Sequence, residues 1–259
     1  MKLSILTENV ASGYFTAEFG LSYLIEHDDE TILFDTGHSD NFLKNADRLN
    51  IDIDKVKTVV LSHGHWDHGN GLKYIKDKKL ICHPNVFIKR YRRNDTIHNG
   101  LDLSYAELND KFQIITSKEP YHISENIIFL GKIPRLTLFE SQTTPFVDES
   151  GNDDFIPDDS ALAIIGDDEL IVVTGCSHSG ICNIVEYAKK VTGLNKIKVV
   201  IGGFHLALND NQTKKTINYF KKQKVKYLLP SHCTKLPALS AFYNEFRINQ
   251  VAAGMVFNF

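Results

Sequence analysis

The sequence predicts an α/β fold in which sheet layers are covered by helices. The first 35 residues alternate between apolar and polar positions and contain a hairpin that turns at 27–30. From about residue 161 onward, the chain repeats a pattern of strand followed by helix. No linker separates two apolar cores, so we predict a single domain over residues 1–259.

Elements of the central region follow from short apolar runs bounded by turn residues. They are, in order, a strand at 56–61, a short helix at 72–78, a strand at "LICHP" and strands at 112–116 and 126–130. The polar, basic stretch 85–110 is predicted to be partly helical. The turn-rich, acidic segment "SQTTPFVDESGNDDFIPDDS", residues 141–160, is predicted to be a mobile loop over a site.

In the C-terminal region, the sequence pattern predicts a hairpin followed by alternating helices and strands. In order, these are the hairpin "ALAIIGDDELIVVTG", a helix at 181–191, the strand "KIKVVIGG", a helix at 212–223, the strand "VKYLLPS" and a helix at 236–246. Consecutive strands joined through helices are expected to lie parallel, with their carboxyl ends at one edge of a sheet.

The overall charge argues against nucleic acid as a partner. The formal net charge is −3, so the molecule has no basic field that would attract phosphate backbones. One local exception is the basic run "KRYRR", 89–93. It is interpreted as a solvated helix face, with an anion-contacting patch as the alternative.

The cysteines and the apolar runs indicate a cytoplasmic protein. The four cysteines, Cys82, Cys176, Cys182 and Cys233, show no short-spaced disulfide framework. The stretch "MKLSILTENV" lacks the apolar region of a signal peptide. No run approaches the ~18 apolar residues of a membrane span, so no membrane partner is expected.

A cluster of histidines in "LSHGHWDHGNGL", residues 61–72, predicts a metal site. His63 and His65 lie two apart in an extended segment, so their side chains point to one side and can share a metal. Asp67 and His68 follow the turn at Trp66 and can bind a second metal. Imidazole and carboxylate ligands suit zinc, and also iron or manganese.

Further candidate ligands follow the ends of predicted strands. These residues are Asp35 after "TILF", Cys176 and His178 after "LIVVTG", His205 after "VVIGGF" and His232 after "YLLPS". Parallel strands would bring their carboxyl ends together in space. Because a catalytic metal takes about three protein ligands and a water, His178 and His232 are the natural third ligands.

With these residues in view, the sequence resembles the metallo-β-lactamase-fold superfamily of metal-dependent hydrolases. The resemblance is carried by "SHGHWDHGNGL", which matches the superfamily's His-x-His-x-Asp-His signature, and by "LFDTG" upstream. Three further pieces, "TGCSHSGICNIVEYA", "IGGFHL" and "LLPSHCT", are similar to a narrower subfamily. Its members are labelled 7,8-dihydropterin-6-methyl-4-(β-D-ribofuranosyl)-aminobenzene-5′-phosphate synthase-like.

This resemblance implies a four-layer αββα sandwich with a dinuclear metal site at one edge of the sheets. Carried over by position, His63 and His65 would bind the first metal, and Asp67, His68 and His232 the second. Asp35 would orient a ligand histidine by a hydrogen bond rather than bind metal itself. Two divalent ions are therefore expected, zinc in the first place.

Two positions depart from the superfamily's pattern. The histidine usual near residue 156 is absent here, and His178 is the candidate to supply the missing imidazole. The usual bridging aspartate is replaced by Cys176, which is either a bridging thiolate or a small buried residue. His205 could be a further ligand, a proton donor to a leaving group, a substrate clamp or a core residue.

The predicted chemistry is hydrolysis of a small anionic substrate, most simply a phosphate ester, by a metal-bound hydroxide. Asp67 would act as base or proton shuttle. The free N–H groups of the helix opened by "GCSHSG", together with Arg90, Arg92 and Arg93, would attract the anion. The alternatives are a transferase joining a pterin pyrophosphate to a ribosyl-aminobenzene phosphate, and a non-catalytic metal- or ligand-binding module.

Overall fold

The alternating apolar residues near the N-terminus form the predicted hairpin in a computed structural model of the protein, which describes residues 1–95 and 97–259. The strands of the N-terminal half are β1 (Lys2–Thr7), β2 (Ser22–His27), β3 (Glu30–Phe34), β4 (Thr58–Val60), β5 (Lys78–Cys82), β6 (Arg90–Arg92), β7 (Phe112–Thr116), β8 (Tyr121–His122) and β9 (Ile127–Phe129). Those of the C-terminal half are β10 (Phe146–Asp148), β11 (Ala161–Gly166), β12 (Glu169–Thr174), β13 (Ile197–Gly203), β14 (Tyr227–Ser231) and β15 (Val256–Asn258).

The helices alternate with these strands. They are α1 (Asn41–Arg48), α2 (Trp66–Gly69), α3 (Tyr105–Asn109), α4 (Ile181–Thr192), α5 (Asn211–Gln223) and α6 (Leu236–Phe246). The predicted helices at 181–191, 212–223 and 236–246 are thus confirmed to within a residue. The predicted helix at 72–78 is wrong, because a 3₁₀ turn at Asn70–Tyr74 follows α2 and the chain becomes extended at Ile75.

Contacts divide the described chain into two compact units. Unit 1 comprises residues 1–118, 144–154 and 252–259, and unit 2 comprises residues 119–143 and 155–251. The single domain expected from the sequence stays a prediction.

Unit 1 is built on a mixed sheet with the strand order β15-β1-β2-β3-β4-β5-β7. Strands β3, β4, β5 and β7 are parallel, with Phe34 paired to Val60. The residues that follow β3 and β4 therefore emerge side by side at one edge of this sheet. Helix α1, which the sequence analysis did not predict, packs Phe42 and Ala46 against buried strand residues such as Leu6 and Leu33. Burial of such apolar side chains stabilises the unit by about 2 kcal/mol each.

Unit 2 is built on a second sheet with the order β14-β13-β12-β11-β9-β8. The hairpin β11–β12 is antiparallel, as predicted, whereas β12, β13 and β14 are parallel. Helices α4, α5 and α6 bury one face against this sheet around Phe204, Phe220 and Phe242. The carboxyl ends of the three parallel strands consequently lie next to one another, as expected.

The basic run at 89–93 forms a strand rather than a helix. Strand β6 pairs with β10 in an antiparallel ribbon, so part of the segment 141–160 is regular structure. Arg90 is fully buried with its Nε 3.0 Å from Asp154 Oδ2, and Lys89 Nζ lies 3.2 Å from Glu149 Oε1. Arg93 pairs with Asp153. The helix prediction is wrong here, and these ion pairs give no support to an anion-contacting patch.

The hydropathy of the helices bears on the predicted absence of a membrane span. Within the described residues, none of the helices combines the length and the apolar character that crossing a bilayer requires.

Candidate metal centre

The histidine motif begins where β4 ends and leads directly into α2. Gly64, between His63 and His65, lies against the main chain of Val86, and a Cβ added at Gly64 would come within 2.0 Å of the Val86 carbonyl oxygen. Only glycine fits this close approach. The tight packing fixes the extended segment that carries the two imidazoles.

All four polar residues of the motif are buried and lie close together in unit 1. His63 Nε2 is 2.9 Å from His65 Nδ1, and the ring centroids of His63 and His68 are 4.2 Å apart. Asp67 Oδ2 lies 3.8 Å from His68 Nε2. Buried imidazoles that face one another in this way form a set of nitrogen donors fitted to a cation.

Asp35 holds two of these histidines in place from the end of β3. Its Oδ1 accepts a hydrogen bond from Ser62 N at 2.7 Å, and its Oδ2 accepts from Ser62 Oγ and from His68 Nδ1, each at 2.7 Å. Because the single hydroxyl proton of Ser62 is donated to Asp35, Ser62 Oγ accepts a hydrogen bond from His63 Nδ1 at 2.9 Å.

These hydrogen bonds select the histidine tautomers. His63 and His68 carry their proton on Nδ1, so Nε2 of each ring is unprotonated, the form in which an imidazole nitrogen binds a metal. The donor set therefore fits a divalent cation, with Asp35 in the orienting position that the sequence predicted. That these residues bind metal stays a prediction. Ser62 was not among the predicted residues, although its place directly before His63 in "SHGH" is a signal that could have found it.

The ribbon of β6 and β10 contributes an aromatic contact to this cluster. The ring of Phe146, the first residue of β10, lies 4.8 Å from the ring of His65, and the main chain of His65 forms an isolated bridge with Gly100. The segment predicted to cover a site thus supplies one apolar side chain beside a candidate ligand. Its mobility is untested.

A second cluster of candidate ligands lies in unit 2, at the ends of β12 and β14. The ligand atoms of Cys176, His232 and Cys233 all lie within 4.8 Å of one another. Cys176 and His232 are buried and were predicted from the sequence; Cys233 was missed. It directly follows His232 in "PSHC", and this adjacency was the available signal.

His178 and His205 form a neighbouring pair in unit 2. Their ring centroids are 4.3 Å apart, with His178 buried and His205 exposed. The backbone of His205 is left-handed, at φ 50°, as is that of His232, at φ 49°. Non-glycine residues in this region cost of order 1–3 kcal/mol and concentrate at functional sites. The exposed ring of His205 argues against a core role for it.

The N-terminus of α4, predicted to bind a substrate anion, is already filled by the protein itself. The buried Glu140 carboxylate accepts from Cys182 N at 2.9 Å through Oε1 and from Asn183 N at 3.0 Å through Oε2. Asp159 Oδ2 accepts from Ser179 N at 2.8 Å, and burial raises the pKa of Asp159 to about 6. The predicted anion site is therefore wrong, because these carboxylates satisfy its N–H groups.

Replacing Glu140 should destabilise the fold. In Glu140→Gln one carboxylate acceptor becomes an NH₂ donor that faces a backbone N–H, so a buried donor loses its partner. We expect the free energy of unfolding to fall by about 1–3 kcal/mol, measured by urea denaturation. The control Glu125→Gln, at an exposed position, should change it little. Equal stability of Glu140→Gln and the parent protein would contradict this account.

The same residue should make stability depend on pH. Burial raises the pKa of Glu140 above its ordinary 4.5, although hydrogen bonds from the backbone of Cys182 and Asn183 favour the charged form. The native state then binds the Glu140 proton more tightly than the unfolded state does. Stability from this group is therefore lost as the pH rises from 4.5 through the raised native pKa, and Glu140→Gln should lack that component.

Comparison with known proteins assigns the class. The model of the metallo-β-lactamase superfamily matches residues 15–190, more than half of the chain. The protein belongs to this superfamily, and its α/β fold of sheets flanked by helices is the metallo-β-lactamase fold, as predicted.

Particular relatives are similar over nearly the whole chain. An uncharacterized protein of Methanocaldococcus jannaschii, MJ0448, is 38% identical and covers 92% of both chains. The 7,8-dihydropterin-6-methyl-4-(beta-D-ribofuranosyl)-aminobenzene-5′-phosphate synthase of the same organism is 32% identical over 100% of this chain and 97% of its own. The crystal structure of Tm1679, a metal-dependent hydrolase of the β-lactamase superfamily, superimposes with a TM-score of 0.89 at 31% identity, covering 100% of this chain and 99% of that one.

Proposed function

We propose that this protein is a metal-dependent hydrolase of a small anionic substrate, most simply a phosphate ester. The observation that carries the proposal is the set of hydrogen bonds that orients the histidines of the motif. Hydrogen bonds to Asp35 and Ser62 place the protons of His63 and His68 on Nδ1, so the Nε2 atoms are unprotonated, as metal coordination requires. When bound, a divalent metal would lower the pKa of a coordinated water toward ~7 and polarise the ester.

The proposal assigns a dinuclear centre, with zinc as the first candidate. His63, His65 and His178 would hold one ion; Asp67, His68 and His232 would hold the other, and Cys176 would lie between them. This assignment rests on membership of the superfamily and on the place of each residue in the sequence motifs. Imidazole, carboxylate and thiolate donors suit zinc, and iron or manganese are the alternatives.

Two residues would handle protons. The Asp67 carboxylate is buried within the histidine motif, where a carboxylate can take a proton from an attacking water. His205 is exposed and its ring centroid lies 4.3 Å from that of His178, so it can deliver a proton to a leaving group from the solvent side. Neither residue needs a covalent intermediate with substrate.

A pocket in unit 2 supports an anionic substrate. It has a volume of about 810 Å³ and is lined by the cations Lys132 and Arg135 together with Gln142 and Phe155. Arg135 Nη1 also donates to the carbonyl of His178 at 3.4 Å, so the pocket borders the segment that carries a candidate ligand. A cationic, partly aromatic cavity of this volume suits a small anion with a planar body.

The second candidate is the transferase. It is favoured by the 32% identity to the pterin-ribosyl-aminobenzene phosphate synthase. Hydrolysis and transfer can both begin with polarisation of a phosphate ester, and they differ in whether water or an arylamine attacks. A non-catalytic metal-binding module is the third candidate.

One assay distinguishes these candidates. The protein is incubated with phosphodiesters, thioesters, lactones and a pterin pyrophosphate paired with an arylamine, each with and without added zinc. Metal-dependent turnover of a phosphodiester such as bis-p-nitrophenyl phosphate supports the hydrolase. Release of pyrophosphate only when both pterin and arylamine are present supports the transferase. Turnover of none of them would overturn the enzyme proposal and favour the binding module.

Hydrolysis should depend on pH and on the metal. We expect turnover to fall about tenfold per pH unit below a pKa of ~7, because the nucleophile is deprotonated water. Chelator should abolish turnover and added zinc should restore it. The variant His122→Ala, altered at an exposed position of β8, should show the same profile as the parent protein. A rate that is flat between pH 5 and 8 and insensitive to chelator would contradict the proposal.

A further inference from the structure

The cluster at the ends of β12 and β14 contains a sulfur that the motif of the superfamily does not explain. We propose that Cys233 is a metal ligand, and that it forms with Cys176 and His232 a thiolate-rich site for a thiophilic divalent cation. The inference rests on the proposed metal-dependent function and specifies which metals the centre accepts.

Three neighbouring parallel strands bring these residues together. Strand β12 ends two residues before Cys176, and β14 ends directly before His232 and Cys233. Between them β13 ends at Gly203, which pairs with Ser231. Donors from the outer two strands can therefore meet over the end of the middle strand only if that strand places no side chain between them.

Gly203 meets this requirement. A Cβ at Gly203 would lie 2.5 Å from Cys233 Sγ and 2.6 Å from the carbonyl oxygen of Gly175, so no side chain fits there. The sulfur occupies the space instead and lies 3.4 Å from the carbonyl oxygen of Cys176. The absent side chain thus opens the route by which Cys233 reaches Cys176.

The distances agree with shared coordination. The Sγ atoms of Cys176 and Cys233 and a ring nitrogen of His232 all lie within 4.8 Å of one another. Two sulfurs at ~2.3 Å from a tetrahedral zinc would be about 3.8 Å apart, so small side-chain adjustments suffice. The left-handed backbone of His232, at φ 49°, is the kind of strained conformation that accompanies a functional constraint.

Charge and ligand softness decide the class of metal. Binding would convert both thiols to thiolates and release two protons to solvent, so the two negative charges balance a divalent cation. Thiolate ligands favour zinc, cadmium or cobalt over magnesium and calcium, which prefer oxygen.

Cadmium and cobalt absorption tests the inference directly. Protein freed of metal by chelator and kept reduced is titrated with cadmium and, separately, with cobalt. The parent protein should gain an ultraviolet sulfur-to-metal charge-transfer band. In Cys233→Ser we expect the intensity to fall by about a third to a half, and likewise in Cys176→Ser, because each loses a sulfur donor.

Two matched cysteine variants provide the control. Cys82→Ser and Cys182→Ser remove buried thiols outside the cluster, and burial raises the pKa of the Cys182 thiol well above its usual value. Both should retain the full band at equal metal content. Circular dichroism of every variant confirms that it is folded.

Some results would overturn the inference without touching the proposed function. One is full band intensity in Cys233→Ser; another is a Cys176–Cys233 disulfide in fresh protein that binds no cadmium after reduction. Conversely, a band that falls in Cys233→Ser, in a protein that turns over no substrate, would support the inference while the proposed function fails.

Discussion

His63→Ala should lose most of the bound metal and with it the metal-dependent turnover. The substitution removes the imidazole whose Nε2 lies 2.9 Å from His65 Nδ1, and Ser62 Oγ loses the hydrogen bond from His63 Nδ1 while it keeps the one to Asp35. Loss of a ligand from a three-ligand site is expected to lower metal affinity and turnover by at least about 100-fold. Elemental analysis of protein purified without chelator measures the first effect, and the phosphodiester assay the second.

Two histidine variants separate metal loss from general damage. His122→Ala changes an exposed residue and should leave metal content and turnover unchanged. His83→Ala removes a buried histidine at the end of β5 whose Nδ1 accepts from Asn85 N, so it should lower stability while metal content is retained. Normal metal content in His63→Ala would refute the assignment of His63 as a ligand.

Asp35→Asn should have nearly as large an effect, although Asp35 is not proposed to bind metal. An amide NH₂ in place of Oδ2 would face His68 Nδ1 and favour the tautomer with its proton on Nε2, the nitrogen that must coordinate. Loss of such an orienting hydrogen bond typically costs 10–100-fold in metal affinity or activity. We expect a decrease in this range, together with a change of the His68 tautomer visible by ¹⁵N NMR.

The backbone suggests a matched control. Asp35 is left-handed at φ 56°, a conformation that asparagine tolerates, so the substitution should not strain the chain. Asp28, in the exposed turn between β2 and β3, has a similar φ of 51°, and Asp28→Asn should leave metal affinity unchanged. Equal affinity in Asp35→Asn and the parent protein would show that Asp35 does not orient His68.

The periodicity of the chain was sufficient to predict much of the fold and the grouping of candidate ligands within each unit. Apolar runs predicted β12, β13 and β14, and parallel pairing then placed Cys176, His205 and His232 at one edge of the sheet. The His-x-His-x-Asp-His motif identified the other group by itself. Whether the two groups share one centre stays a prediction from family membership.

Two of the wrong predictions, the helix at 89–93 and the anion site at the start of α4, share a physical cause. The basic run 89–93 was assigned to a helix by composition, but pairing with β10 and a buried ion pair between Arg90 and Asp154 decide its conformation. Glu140 fills the N-terminus of α4 from a position 42 residues away in sequence. Such long-range pairings leave no local pattern, so neither could be predicted from neighbouring residues.

The position of β15 has a consequence for the growing chain. Strand β15 pairs with β1, with Lys2 opposite Asn258, so the edge of the unit 1 sheet is covered only by residues about 250 positions downstream. At a synthesis rate of ~5–20 residues per second, the hydrogen-bonding edge of β1 stays open for roughly 12–50 s after it leaves the ribosome. During this interval β1 can pair with β2, but its other edge has no partner strand. Other nascent chains would pair with this open edge, and a chaperone that covers the edge would prevent such pairing.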